Sequence, residues 1–496
     1  MNKKILFGII GAIVVASISV VALLSTQETT NSVSEISNNP SENMDSVTPS
    51  SSSVIPETVQ NTKNKIEKEI NQAVYFTVYN ATTPSITIDK NSGSIYSVYF
   101  KESENQGGNL FAIRSDDDGK TFSEPIRVNE NEGDVVLDAQ WSAPGLAIGP
   151  NGEVNVVWYN ADYSDPDKFP WGEITLLYSR SLDGGKTFES SKNPSPDDPR
   201  GEQSYPYVTV SDDNHVYISY LNLDYSKGKD DSGTPTVLKM VSSMDGGKTF
   251  EKSTITDHSA CQCCATVNTI GPNNEVYSSS RSTFLNTVQP LINETRTDYQ
   301  GSFDKIVIRD ITVSHSTDSG LAKQFTDPVK VGNDKWFMNG CPDAGPGMAF
   351  DSRERLHIAW FTGSETAPDG QGFYYAYSDD KGASFNNPTP IHLLSEKWIP
   401  PTSQYVVTDN DDNAWIVFVN SEGMKKGPTY AEDYKYVGNG SIHLAVVDKN
   451  GDVIRNGPFA KGDITKHYPF TSSTGDKITI SWIEGNDVKL SVINVS

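Results

Sequence analysis

Along most of this chain, apolar residues come in short runs that stop at a Gly, Asn or Asp turn and then resume. Such runs read as strands joined by hairpins. One unit recurs: a small or aromatic cluster opens a strand, a turn follows, and a second, more apolar strand runs back. It is legible at 84–100, 144–158, 206–220, 265–279, 345–361, 405–419 and 469–483. The turns include Pro150-Asn151-Gly152, Asp212-Asp213-Asn214, Pro272-Asn273-Asn274, Asp411-Asp412-Asn413 and Thr474-Gly475-Asp476, residues that suit tight reversals. Most openings lie about sixty residues apart, and an insert near 282–303 absorbs the one long step, from Ala265 to Gly345. A regular period of short strands predicts an all-β ring of radial blades. Seven repeats predict a seven-bladed β-propeller, with six blades and an irregular C-terminal set as the alternative. The last repeat has room for three strands only. Residues 73–79 are expected to supply its fourth, closing the ring and removing open sheet edges.

A second pattern punctuates the first. Ser115–Phe122, Ser181–Phe188, Ser243–Phe250 and Ser378–Phe385 follow the form S-x-D-x-G-x-[T/S]-F, and a stretched copy runs from Ser316 through Asp318 and Gly320 to Phe325. The Asp side chain can accept from backbone N–H groups of the turn, Gly takes the positive φ, and Phe fills the gap between neighbouring sheets. The sixth repeat carries Asp448-Lys449-Asn450-Gly451 in its place. These turns staple a fold and do no chemistry of their own.

The N-terminus reads Met1-Asn2-Lys3-Lys4 and then runs uncharged and mostly apolar over residues 5–24. That length suits a membrane span, and the lysines place the N-terminus inside the cell and the rest outside. Residues 1–24 are therefore expected to anchor the chain to the cell membrane, with a cleaved signal and a secreted protein as the rival. Residues 25–71 are rich in Ser, Thr, Asn, Pro and Glu and read as a disordered linker, whose end at 63–70 can form a short helix. The propeller is expected over 72–496. The net charge of −24 argues against nucleic acid as a partner and leaves the anchor as the only membrane contact.

Only four cysteines occur: Cys261, Cys263 and Cys264 in one segment, and Cys341 in Gly340-Cys341-Pro342. Both segments precede a predicted innermost strand, in adjacent repeats. Starts of innermost strands meet around the channel of a propeller, so Cys341 is expected close to the other three. Outside the cell an even cysteine count suggests disulfides. The other reading is a thiolate site for copper or zinc, with His258 and His467 as possible nitrogen ligands. Gln140, Trp141, Gln203, Tyr205, Asp343, Gln404, Tyr405 and His467 also sit at strand starts, where they would ring one face with aromatic and hydrogen-bonding groups, as a polar or glycan site does.

The repeated S-x-D-x-G-x-T-F turns, over about residues 82–496, resemble the Asp-box (BNR repeat) of the sialidase/neuraminidase-like superfamily. Ala260-Cys261-Gln262-Cys263-Cys264, Ile308-Arg309-Asp310-Ile311, 336–342 and Ala359-Trp360-Phe361-Thr362 look like a prokaryotic branch of it. The resemblance implies a propeller and, in sialidases themselves, an arginine triad, a Tyr nucleophile paired with Glu, and an Asp acid. The F/Y-R-I-P motif that carries the first arginine there has no counterpart before Pro84, where the chain reads Asn80-Ala81-Thr82-Thr83. Arg281, Arg309 and Arg353 remain as possible anion binders, and Arg309-Asp310 as an internal ion pair. The expected function is binding of a cell-surface glycan or protein on the cysteine-bearing face. The alternatives are an exo-acting, sialidase-like glycoside hydrolase, with Asp138, Glu202 and Asp343 as candidate carboxylates, and a Cys-ligated copper or zinc protein.

Overall fold

The computed structural model describes residues 57–103, 107–137, 143–169, 172–199, 201–224, 236–285, 307–336, 344–364, 366–395, 403–420, 440–462 and 469–496. After helix α1 (Glu57–Asn71) and strand β1 (Val74–Val78), the described chain is a series of antiparallel meanders. The first is β2 (Thr82–Ile88), β3 (Ile95–Glu102), β4 (Gly108–Ser115) and β5 (Ile126–Arg127). Next come β6 (Gly145–Ile148), β7 (Val154–Asp162) and β8 (Glu173–Ser181), then β9 (Gly201–Val210), β10 (Val216–Asp224), β11 (Thr236–Ser243) and β12 (Thr254–Asp257). A single parallel pairing, Ile174 with Glu202, fuses these two sets into one sheet. The series continues with β13 (Val267–Ile270), β14 (Val276–Leu285), β15 (Val307–His315) and β16 (Val329–Lys330), and with β17 (Gly347–Phe350), β18 (Leu356–Thr362), β19 (Gly372–Ser378) and β20 (Thr389–Leu393). It ends with β21 (Tyr405–Thr408), β22 (Ala414–Asn420), β23 (Ser441–Val447) and β24 (Val453–Lys461), and with β25 (Phe470–Ser473), β26 (Lys477–Glu484) and β27 (Asp487–Asn494).

The first strands of the meanders pack on one another in order: β2 on β6, β6 on β9, β9 on β13, β13 on β17, β17 on β21, β21 on β25, and β25 back on β2. The result is a propeller-like closed arrangement. Side-chain hydroxyls stitch this inner layer. Ser85 Oγ donates to Pro144 O at 2.5 Å, Thr266 Oγ1 to Tyr205 O at 2.9 Å, Thr408 Oγ1 to Phe350 O at 2.9 Å and Ser473 Oγ to Thr408 O at 2.7 Å. These bonds satisfy carbonyls that the short inner strands leave unpaired. Strand β1 adds to the last meander, pairing antiparallel with β27 from Val74–Val492 to Val78–Val488. Phe76 then packs in a tilted contact on Phe122, the apolar residue of the first turn motif, at a centroid distance of 4.6 Å.

The repeated turns share one geometry. In the second copy, Ser181 Oγ donates to Asp183 Oδ1 at 2.7 Å and accepts from Gly185 N at 2.8 Å, while Thr187 donates its N–H and its hydroxyl to the same carboxylate at 2.9 and 2.6 Å. The Thr187 and Ser181 hydroxyls hold the Asp183 pKa down at about 2. The first, third and fourth-type turns, at Asp117, Asp245 and Asp380, repeat the pattern. The stretched copy has Asp318 accepting from Ala322, Lys323 and Gln324 N–H groups. Gly119, Gly185, Gly247, Gly320 and Gly382 hold φ between 80 and 85°, a region costly for other residues. The turns also dock on the preceding meander: Tyr217 donates to Gly320 O at 2.5 Å and Tyr277 to Lys381 O at 3.2 Å.

The helix departs from the expectation of a linker as far as residue 71. It spans 15 residues and belongs with the folded unit, which begins at Ile55. Its composition is polar, but Ile66 and Ile70, one turn apart, bury against Trp415, Ile454, Trp482 and Ile493. Lys65 pairs with Asp411 at 2.9 Å, Glu67 with Arg455 at 3.0 Å, and Glu69 accepts from Ser496 N at 2.9 Å. Tertiary packing, not local propensity, holds it. The apolar stretch at 5–24 lies outside the described residues. Among the described residues no helix is long and apolar enough to cross a membrane.

Candidate functional site

Between β12 and β13 the chain crosses over β14. Asp257 accepts from Ser259 N at 2.8 Å, from Thr312 Oγ1 at 3.2 Å and from Ser282 Oγ. Cys261 N donates to Arg281 O and Thr283 N to Ser259 O, both at 2.7 Å. A turn follows, in which Cys264 N reaches Cys261 O at 3.4 Å. This turn folds the C-x-C-C segment back on itself and gathers its sulfurs. Cys264 S–H donates to Cys261 Sγ at 3.3 Å, and Cys261 and Cys263 sulfurs lie 3.7 Å apart. All three residues are buried. Cys261 and Cys264 are free thiols, whereas Cys263 is disulfide-bonded. Cys341 lies outside the described residues.

Two buried arginines border the sulfurs. Arg309 donates Nη1–H to Cys261 Sγ at 2.9 Å. Arg281 donates Nε–H to Ala344 O at 3.0 Å, Nη1–H to Arg309 O at 3.1 Å and Nη2–H to Phe361 O at 2.6 Å, with its guanidinium 4.6 Å from the Trp336 ring centroid. Burial opposes ionisation of Cys261, but the Cys264 S–H bond and the charges of Arg309 and Arg281 outweigh it and lower the Cys261 pKa. Burial and the neighbouring Cys261 sulfur raise that of Cys264. Arg309 does not pair with the adjacent Asp310. Alternation along β15 points the two residues to opposite faces, and Asp310 meets Lys330 at 2.9 Å instead. Arg353 pairs with Asp351 at 2.6 Å in a hairpin turn.

The other strand-start candidates divide. Trp141, Asp343 and His467, like Gln140 and Asp138, lie outside the described residues. His258 is exposed and stands apart from the sulfur group. Tyr205 and Tyr405 are buried. With Ala143, Tyr207, Ala265 and Phe470 they line a cavity of about 10 Å³, room for roughly one water. Tyr207 and Tyr405 stack across it at 6.4 Å, and Tyr405 meets Phe470 at 4.4 Å. Aromatic side chains from three inner strands thus pack together at this level. Gln203 and Gln404 are stitches. Gln203 accepts from Leu176 N at 3.1 Å and donates to Ser195 O at 3.0 Å, and Gln404 donates to Gly345 O and Ala359 O.

Glu202 lies at the start of β9, the strand that carries Tyr205. It lies three residues before Tyr205, whose carbonyl bonds Thr266, two residues after Cys264. Its carboxyl is half-buried and accepts a hydrogen bond from Ser204 Oγ at 2.6 Å, and among the described residues it forms no ion pair. Burial pushes its pKa up to about 7. A carboxyl that exchanges its proton near neutrality can act as a general acid or base. The Arg309–Cys261 bond escaped sequence reading. Its one sequence signal is the alternation of β15, which separates Arg309 from Asp310.

No protein-family model matches the sequence, and no curated protein matches it. Solved structures do. The chain is similar to a PL25 polysaccharide lyase, an ulvan lyase bound to -[GlcA(1-4)Rha3S]-, with a TM-score of 0.50 and 11% identity over 86% of this chain and 96% of that one. It is also similar to the Hadza microbial sialidase Hz136 (TM-score 0.44, 13% identity, 79% and 74% coverage) and to the GH93 alpha-L-arabinofuranosidase of Fusarium graminearum in complex with arabinobiose (TM-score 0.45, 13% identity, 76% and 95% coverage). At these identities the likeness is one of fold.

Proposed function

We propose that this chain is a seven-bladed Asp-box β-propeller, held outside the cell by a membrane anchor at residues 5–24, that binds a surface glycan on its cysteine-bearing, strand-start face. The cyclic packing of the inner strands and the β1–β27 closure support the blade count. The observation that carries the functional reading is Glu202: a half-buried carboxyl, without a cation among the described residues, three residues before Tyr205 of the aromatic cluster. A ligand meets this face at the rim, where a neutral Glu202 donates a hydrogen bond to a sugar oxygen.

The same carboxyl favours one second reading, acid–base cleavage of the bound glycan. As the acid, Glu202 gives its proton to the departing glycosidic oxygen. A sialidase-type version has little support, because Arg281 is engaged with three backbone carbonyls and Arg309 with Cys261. The lyase likeness makes uronate-containing polysaccharides the first class to try. The test is to incubate the full chain with a panel of neutral, uronate and sulfated polysaccharides, following co-sedimentation and product release. Retention without products supports binding, products lost in Glu202→Gln with retention kept support cleavage, and neither overturns the proposal.

A further inference from the structure

We propose that Cys261 and Cys264 form a redox-active dithiol that reduces a small hydroperoxide and closes into a disulfide across its own turn. This inference is independent of the glycan reading, and neither sulfur takes part in the bond at Cys263. The pair has C-x-x-C spacing, Cys261-Gln262-Cys263-Cys264. The backbone bond from Cys264 N to Cys261 O makes these four residues one turn, and such a turn holds its first and last Cα atoms within about 7 Å. A disulfide takes Cα separations of about 4.4–6.8 Å. The sulfurs already lie 3.3 Å apart, joined by the Cys264 S–H. A bond of about 2.05 Å asks them to close by little more than an ångström.

The two sulfurs are not equivalent. Cys261 accepts from the Cys264 S–H and, at 2.9 Å, from Arg309 Nη1–H. A guanidinium and a second donor on one sulfur favour the thiolate, the nucleophilic form. Cys264, the donor of the pair, keeps its proton until Cys261 has reacted. Both residues are sealed from solvent, and this selects the oxidant. Hydrogen peroxide is little larger than water and can reach a buried sulfur, whereas a bulky disulfide cannot.

The chemistry takes two steps. The Cys261 thiolate attacks one peroxide oxygen: an S–O bond forms, the O–O bond breaks, and the second oxygen leaves as hydroxide and takes a proton from solvent. Cys261 is then a sulfenic acid. Cys264 gives up its proton and attacks the Cys261 sulfur: the S–S bond forms, the S–O bond breaks, and the departing hydroxide takes that proton as water. Two sulfurs lose two electrons, and one peroxide becomes two waters. With Cys264 this close, the sulfenic acid is intercepted before it oxidises further.

The test uses the full chain with its Cys263 disulfide intact. It is given stoichiometric hydrogen peroxide, then unfolded in acid with a thiol-blocking maleimide and digested. Before peroxide, Cys261 and Cys264 should both carry the label; afterwards both should lose it together, in a peptide whose mass shows them bonded to each other. Cys264→Ser should stop at a sulfenic acid on Cys261, trapped by a dione probe, and Cys261→Ser should leave Cys264 fully labelled. Arg309→Met should slow the loss of label by about tenfold near neutral pH. Its rate should climb between about pH 6 and 8, where the wild type's stays level. If the variants fold poorly, the wild type decides. Retention of both labels under excess peroxide overturns the proposal, and so does a product that joins Cys261 to Cys263.

Discussion

Arg309 holds its Nη1 atom 2.9 Å from the sulfur of Cys261, and both side chains are sealed from solvent. β15 and the segment before β13 thus meet through a charged hydrogen bond, a stronger link than a neutral one. Beside it, Arg281 spans three backbone carbonyls drawn from 309, 344 and 361. Arg281 thereby fastens the fourth meander to the fifth.

Replacing Arg281 with Met keeps most of the volume but leaves the carbonyls of Ala344, Arg309 and Phe361 without their donor. Unpaired buried polar groups cost about 1–3 kcal/mol each. Urea unfolding of Arg281→Met should show stability lowered by about 3 kcal/mol or more. A change under about 0.5 kcal/mol would mean that the guanidinium is not structural.

The same engagement predicts no sialidase turnover. The chain should leave a fluorogenic sialoside intact above background. Cleavage that disappears on Arg309→Ala, in a variant that still folds, would show that this arginine is available to a ligand carboxylate.

The repeated turns set the response to acid. Asp117 and Asp183 are held at about 2 by the hydroxyls of Thr121 and Thr187, and Asp380 is lowered by Ser384. A depressed folded pKa stabilises the native state above the unfolded value of about 3.9, and that stability is lost as pH falls through the folded value. Thermal unfolding should therefore shift downward between about pH 4 and 2. Asp183→Asn should make that shift shallower, and an unchanged slope would assign the acid sensitivity elsewhere.

Strand β1 closes the last meander, so removing it should expose the edge of β27. Deleting residues 57–79 should yield a chain that associates through that edge, seen as concentration-dependent oligomers in sedimentation. Phe76→Ala, which removes the ring packed on Phe122, should lower stability by about 1–3 kcal/mol without association. A monomeric deletion variant would contradict closure by β1.

Much of this arrangement is legible in the sequence, because a repeated fold writes its period into the chain. Pro84, Pro144 and Pro206 mark successive inner strands, and residues 73–79 stand where the closing strand is found. Helix α1 is harder to read. Its two buried isoleucines sit in a polar stretch, and the aromatic and aliphatic residues that receive them lie more than 300 positions away. Side-chain direction at the site is harder still. Tyr205 adopts a positive φ of 52° at an irregularity in the β9–β10 pairing, so simple alternation does not tell which residues of β9 face the rim. Gln203 and Gln404 look like ligand groups in sequence and serve as stitches, because inner strands too short to pair fully must find other donors.

The most direct test is polysaccharide binding by the full chain and by Glu202→Gln, measured by calorimetry between about pH 5 and 9. Glu202, held at about 7 by burial, is neutral and able to donate below that value and is a carboxylate above it. The wild type should bind a member of the polysaccharide panel, with affinity falling as pH rises through about 7. Glu202→Gln, a donor at every pH, should bind with a flat profile. Absence of binding to every polysaccharide, or the same pH dependence in both proteins, would contradict a glycan site at the strand-start rim.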